Sequence, residues 1–251
     1  MINTRQLVFC ASLLLSGMCL SGAVHAGGIS LGGTRLIFDG SNDAATMSVN
    51  NGSTGTWLMR FWVSPYGDKG NDVAATGGKD RAAASLPFVV TPPLYRLDPQ
   101  GAVELRVNRV SESLPADRES VYYLNSLAIP PKKGDKGYSK AVTSGMQFAV
   151  NTRIKLIYRP AALKDAAVVK ALPGKLTASA DGKTLTIKNP TPYYITMVSL
   201  AVNGKAVAAD MDTMVAPFGT LSVPSSVAHG KLTYFTVDDR GARTPVTEKN
   251  F

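Results

Sequence analysis

The segment MQFAVNTRIKLIYRP, residues 146–160, decides the fold of this chain. Apolar side chains occupy almost every second position from Met146 to Tyr158, and mostly polar or basic side chains lie between them. This period of two predicts a β-strand with one apolar face. At about 3.3 Å per residue the run would extend roughly 40 Å, whereas an ordinary strand has about 5–6 residues. A sandwich domain of ordinary size cannot bury so long a face, so something outside its core should cover the rest.

Residues 1–26 have the pattern of a secretory signal peptide. A basic Arg5 precedes an apolar stretch, and small residues end the segment at Val24-His25-Ala26, which predicts cleavage after Ala26. Both cysteines, Cys10 and Cys19, lie in this segment. We therefore expect an exported mature chain that folds without disulfides and has no segment inserted in a membrane.

The composition offers little for catalysis or for nucleic-acid binding. The formal charge of +9 comes from basic residues scattered along the chain, and export argues against nucleic acid as a partner. After the predicted signal only one histidine, His229, remains, in the loop-like stretch SSVAHGK. Thr152 and Lys155 match a Ser/Thr-x-x-Lys pattern, but residues three apart on a strand point to opposite faces. The sequence therefore predicts no enzyme, no metal site and no cofactor.

Short strand-like runs separated by turn residues fill the region between the signal and residue 160. They cover residues 29–38, 44–50, 56–64, 86–91, 102–108, 120–129 and the long run at 146–158. Seven strands in about 130 residues are typical of an immunoglobulin-like sandwich.

A second set of strands follows Pro160. A short connector or one-turn helix, AALKDAAVVKALPG, leads into two hairpins marked by Asp181-Gly182 and Asn203-Gly204. The fold class predicted is therefore all-β, with two immunoglobulin-like β-sandwich domains around a cleft. Their predicted bounds are 27–160 and 161–251.

Four motifs in order resemble those of the PapD-like periplasmic chaperones of the chaperone–usher pathway. They are TRLIFDG (34–40), PFVVTPPLYRLDP (87–99), LPADRESVYYLN with IPP (114–125 and 129–131), and NTRIKLIYRPAALK (151–164). The motifs span most of the predicted first domain. The second domain is similar more loosely, through its hairpins and VDDRGAR (237–243).

The resemblance implies what covers the long strand. In this family the strand completes a pilus subunit that lacks its own last strand, by donor-strand complementation. Met146, Phe148 and Val150 are then the donor-strand residues that fill pockets of the subunit. Ile154, Leu156 and Tyr158 belong to the chaperone's own core. Without a subunit, self-association could cap the donor strand.

The resemblance also implies roles for charged residues. Arg35 and Lys155 match the family's cleft cations, which hold the C-terminal carboxylate of the subunit. Glu119, Arg159 and Asp239 match charges that the family places between its domains, where they would hold the hinge angle.

An outer-membrane usher is the second partner that the resemblance implies. Its contacts match apolar and proline-rich positions of the first domain, namely Leu58, Thr91, Pro92, Pro93, Leu94 and Ile129. The predicted function is thus a periplasmic chaperone that folds, caps and delivers pilus subunits. The alternatives are a secreted adhesive or carbohydrate-binding β-sandwich protein and, more weakly, a hydrolase centred on His229.

Overall fold

The computed structural model of the protein describes residues 28–67, 86–131, 148–207 and 211–251. The predicted signal peptide and Met146 lie outside these residues. Most of the described chain is β-strand, as the alternation and turn patterns predict.

Nine strands form the first half of the chain. They are β1 (Ile29–Leu31), β2 (Arg35–Asp39), β3 (Ala44–Asn51), β4 (Trp57–Pro65), β5 (Phe88–Thr91), β6 (Leu94–Leu97), β7 (Ala102–Arg109), β8 (Ser120–Ile129) and β9 (Val150–Arg159).

These strands form two sheets that pack face to face. One sheet has the order β1-β3-β7-β5 and the other β2-β9-β8-β4-β6. Neighbouring strands are antiparallel except for β2 and β9, which pair in parallel. Their inward side chains build one apolar core, in which Phe38, Leu105, Leu124 and Leu156 are completely buried.

The second half contains eight further strands. They are β10 (Thr177–Ala180), β11 (Thr184–Lys188), β12 (Ile195–Val202), β13 (Lys205–Ala206), β14 (Met214–Val215), β15 (Thr220–Pro224), β16 (Lys231–Thr236) and β17 (Thr247–Asn250). They form a three-stranded sheet, β10-β11-β15, and a five-stranded sheet in which β14 joins the path β13-β12-β16-β17. A separate apolar core includes Leu185, Met197 and Tyr234.

The connector between the halves is partly helical. It contains 3-10 turns at Ala161–Leu163 and Leu172–Lys175 and one short helix, α1 (Ala166–Ala171). The Asp165 side chain caps α1 by accepting hydrogen bonds from the backbone of Ala167 and Val168. This agrees with the predicted connector or one-turn helix.

Both predicted hairpin turns are present. Asn203 and Gly204 have φ values of 49° and 79°, the left-handed pair that a two-residue hairpin turn requires. Gly182 has φ +86°, and the Asp181 carboxylate accepts hydrogen bonds from Lys183 N and Thr184 N. These residues set the turns of β12–β13 and β10–β11.

Two predicted strands differ from the structure by more than one or two residues at an end. The run 29–38 is two strands, because the chain crosses at Gly32-Gly33 from the β1 sheet to the β2 sheet. A Cβ at Gly32 would lie 2.4 Å from Ser48 Oγ, so a larger residue there would require the Ser48 side chain to move. The long strand begins at Val150 rather than at 146. Its last ladder pair is Val150 with Ala128, and Phe148 has no strand partner within the described part of the chain.

The fold class predicted from the sequence is confirmed, since two immunoglobulin-like sandwiches make up the described chain. The short edge strand β6 was not predicted, because the prolines at 92 and 93 resemble a loop.

No helix in the described ranges is long and apolar enough to cross a membrane. Within the same residues, no group of His, Cys, Asp or Glu side chains could hold a metal ion.

Candidate binding cleft and open strand edge

The strand β9 is paired on both sides along only part of its length. On one side β8 follows it from Val150 to Tyr158. On the other side β2 begins opposite Lys155, with Arg35 as its register partner. In the described chain, residues 150–154 therefore have no strand on that side. A strand edge without a neighbouring strand is a place where another strand can be added.

The side chains of one parity change from exposed to buried along this segment. Phe148 is 66% exposed and Val150 is 53% exposed. Ile154, Leu156 and Tyr158 are buried in the first core, which confirms their predicted assignment to it. A single apolar row thus has one part in the core and one part open to solvent.

Arg35 and Lys155 lie side by side across the β2–β9 ladder. The Nη1 atom of Arg35 donates to the carbonyl oxygen of Val237 at 3.4 Å. The buried Nε of Arg35 has no acceptor among the described residues. Burial lowers the pKa of Arg35, an effect opposed by nearby carboxylates of which Asp239 is the strongest. The guanidinium of Arg35 thus keeps donor capacity that the described residues do not use.

Lys155 is half-buried, like Arg35, and has a neighbouring carboxylate. Its side chain is 20% exposed, and Nζ lies 3.8 Å from Oδ1 of Asp212. Burial lowers the pKa of Lys155; the charge of Asp212 opposes this effect, whereas that of Arg35 adds to it. Asp212, just before β14, was not predicted as a site residue.

Three tyrosines line the cleft beside these charges. The ring of Tyr66 lies 5.3 Å from that of Tyr123 and 6.5 Å from that of Tyr194, measured between centroids. The Tyr66 hydroxyl donates to Oδ2 of Asp212. Burial and that hydrogen bond raise the pKa of Tyr66, so its hydroxyl keeps its proton at neutral pH. The guanidinium of Arg153 covers Tyr123 at 4.7 Å.

Glu119, Arg159 and Asp239 meet in one ion-pair network between the two halves. Arg159 donates from Nε to Glu119 at 2.7 Å and from Nη1 and Nη2 to Asp239 at 2.6 and 2.8 Å. The second oxygen of Glu119 accepts from Tyr194 N at 2.8 Å. The arginine is thereby held by two carboxylates, and the pairing with Asp239 is bidentate.

Burial makes this network sensitive to the loss of any member. The side chain of Glu119 is 1% exposed and that of Arg159 is 10% exposed. Burial alone would lower the pKa of Arg159, but the hydrogen bonds and charges of its two carboxylates raise it. Burial raises the pKa of Glu119, and Arg159 opposes that shift. Asp238, next to Asp239, instead caps its own turn by accepting from Arg240 N and Ala242 N.

Three of the residues predicted to contact an usher, Leu58, Leu94 and Ile129, form a patch on the surface of the first domain. Leu58 and Ile129 are cross-strand partners, and Leu94 pairs with Arg60 on the same outward face. Leu58 is 43% and Leu94 is 55% exposed. Thr91 and Pro93 are exposed, Pro92 and Ile129 are half-buried, and the Thr91–Pro92 peptide bond is cis.

Sequence comparison identifies the class of protein that has this fold and cleft. The family domain described as "Pili and flagellar-assembly chaperone, PapD N-terminal domain" matches residues 28–164. The domain described as "Pili assembly chaperone PapD, C-terminal domain" matches residues 171–248. The chain therefore belongs to the PapD family of pilus assembly chaperones. This membership favours a pilus subunit chaperone over the adhesive or carbohydrate-binding alternative.

Individual relatives agree with that class. The chain is 38% identical over 241 residues to the probable fimbrial chaperone LpfB of Escherichia coli O157:H7, with 94% of each chain covered. The E. coli chaperone DraB has a TM-score of 0.71 and 30% identity, covering 89% of this chain and 98% of its own. A chain of the Salmonella enterica SafA pilin–SafB chaperone complex has a TM-score of 0.72 and 27% identity, and the match covers 91% of this chain and 99% of that chain.

Proposed function

We propose that this protein is a periplasmic chaperone that binds pilus subunits by adding β9 to them and passes them to an outer-membrane usher. The single observation that carries the proposal is the open edge of residues 150–154 beside the exposed apolar side chains of Phe148 and Val150. Backbone hydrogen bonds along such an edge supply affinity, and alternate side chains supply fit. Met146, which lies outside the described residues, extends the same apolar row.

The cleft cations set the polarity of the added strand. In our proposal its C-terminal carboxylate binds Arg35 and Lys155, at the point where β2 begins. A strand that ends there and lies along residues 150–154 runs parallel to β9, as β2 does beyond it. The planar arginine fork and the lysine ammonium both suit a carboxylate, and no carboxylate of the described residues forms an ion pair with Arg35 within 4 Å.

The ion-pair network of Glu119, Arg159 and Asp239 is proposed to hold the two domains at the angle that keeps the cleft open. The proposal is supported by its position, since Glu119 also bonds through its backbone to Pro192 O at 2.9 Å. We also propose domain bounds of 27–160 and 161–251. Their support is that the buried part of the first core ends at Tyr158 and that of the second begins at Leu172.

The remaining assignments follow from the family. Export to the periplasm rests on the predicted signal in residues 1–26. The patch around Leu58, Leu94 and Ile129 is proposed as usher surface, because its exposed leucines lie on the first domain outside the core. No catalysis is proposed for this chaperone.

A pair of peptides tests the anchor. A labelled peptide with the C-terminal strand of a pilus subunit is prepared as free acid and as C-terminal amide. We expect the wild-type chaperone to bind the acid more tightly, since a charge-assisted contact contributes about 1.5–3 kcal/mol. Lys155→Ala should lose most of that preference, whereas Lys188→Ala, an exposed lysine on β11, should keep it. Equal binding of acid and amide by the wild type would refute the anchor.

A further inference from the structure

Asp212 already provides a carboxylate to the cation that is proposed to bind the subunit. Its Oδ1 atom lies 3.8 Å from Lys155 Nζ and accepts a hydrogen bond from Met214 N at 3.1 Å. Its Oδ2 atom accepts from the Tyr66 hydroxyl. Lys155 and Tyr66 belong to the first half of the chain and Asp212 to the second, so the contact spans the cleft.

This contact conflicts with an incoming carboxylate. A second carboxylate at Lys155 would come close to Asp212, and like charges so close together repel one another. Lys155 cannot therefore neutralise both groups fully while Asp212 stays in place. Arg35 is not occupied in this way, because its one hydrogen bond among the described residues goes to the carbonyl of Val237.

The surroundings of Asp212 suit a contact that can be released. Its side chain is 54% exposed, and water can solvate it once it leaves Lys155. The hydroxyl of Tyr66 and the backbone N–H of Met214 are then the groups that hold it in place. This differs from the Arg159 network, whose Glu119 is almost completely buried.

We infer that Asp212 is an internal counter-ion that occupies the Lys155 half of the anchor in the free chaperone and is displaced by the subunit's C-terminal carboxylate. This inference rests on the proposed function of Arg35 and Lys155. It assigns to the second domain a direct part in setting subunit affinity. Removing the competing charge should therefore tighten binding of a free carboxylate and of nothing else.

The test uses the acid and amide peptides with the full-length mature chaperone. Asp212→Asn keeps the size of the side chain and removes its charge. We expect it to bind the acid peptide about two- to fivefold more tightly, the range that a half-exposed ion pair commonly contributes. Binding of the amide should not change. Tyr66→Phe should give a smaller gain, because it removes the hydrogen bond that holds Asp212 in place.

Two control variants separate charge competition from other effects. In a Lys155→Ala background, where there is no lysine to compete for, Asp212→Asn should tighten binding of the acid peptide less than it does in the wild type. Asp117→Asn removes an exposed charge that pairs with Arg118 and is not among the charges acting on Lys155, and it should leave both affinities as they are. Urea unfolding confirms that each variant is folded before its affinity is measured.

Other results would overturn the inference. Weaker binding of the acid by Asp212→Asn would mean that Asp212 positions Lys155 for the subunit. Equal changes for acid and amide would mean that the charge acts on the strand rather than on its terminus. If the wild type prefers the acid and Asp212→Asn leaves that preference unchanged, the counter-ion role fails while the anchor stands. If the wild type has no preference, both fail.

Discussion

Replacing Phe148 by alanine should weaken subunit binding and leave the stability of the free chaperone almost unchanged. Phe148 is 66% exposed, so about two-thirds of its surface is available for burial against a partner. Burying a whole phenylalanine side chain stabilises by about 1.5–3 kcal/mol. The substitution should therefore cost about 1–2 kcal/mol of binding free energy, which is about five- to thirtyfold in Kd. Phe148→Asp should cost more, because it would bring a charge into an apolar groove.

Leu156 is the matched control for Phe148, since it has the same parity in the same segment and is completely buried. Leu156→Ala should lower the free energy of unfolding by about 2–5 kcal/mol, whereas Phe148→Ala should change it by no more than about 0.5 kcal/mol. Urea unfolding gives the stabilities, and fluorescence anisotropy of the labelled subunit peptide gives the affinities. If Phe148→Ala unfolds as easily as Leu156→Ala, our division of the apolar row is wrong.

Three further predictions concern the ion-pair network of Arg159, the patch around Leu58, Leu94 and Ile129, and the lysine Lys155. Arg159→Met leaves the buried Glu119 without its cation and should destabilise the protein by about 3–5 kcal/mol; a loss below about 1 kcal/mol in urea unfolding would contradict this. Leu94→Asp should keep peptide affinity and stability but abolish pilus assembly in cells, and normal piliation would remove the patch from the usher surface. Because burial lowers the pKa of Lys155, it should lose its charge at a lower pH than an exposed lysine. Affinity for the acid peptide should fall over that alkaline range, with the amide as the control, and parallel curves would exclude Lys155 as the titrating group.

Features that depend only on residues close together in the sequence could be predicted reliably. The alternation through Ile154, Leu156 and Tyr158 predicted a strand with one buried face, because side-chain direction on a strand depends only on parity. The Asn203-Gly204 dipeptide predicted its turn, since glycine accepts the left-handed backbone without strain. Such features need no knowledge of what packs against them.

Contacts between distant residues were harder to predict. Arg35 and Lys155 were paired only through the family resemblance, although they are direct register partners. Tyr66 and Asp212 are 146 positions apart in sequence, and neither belongs to a motif that points to the other. The side chain of Ser126 is buried and its Oγ has no partner in the described structure, which the alternation of β8 alone does not predict.

The sequence by itself determined an all-β chain, its alternating strands and two of its hairpin turns, because periodicity and turn chemistry act over a few residues. The tertiary structure decided which part of β9 is left without a neighbour. It also decided that Asp212, rather than solvent alone, meets Lys155. The physical reason is that ladder pairing and ion pairing depend on which strands and loops meet in space. A shift of β2 along β9 would change the length of the open edge without changing a single residue of the strand that forms it.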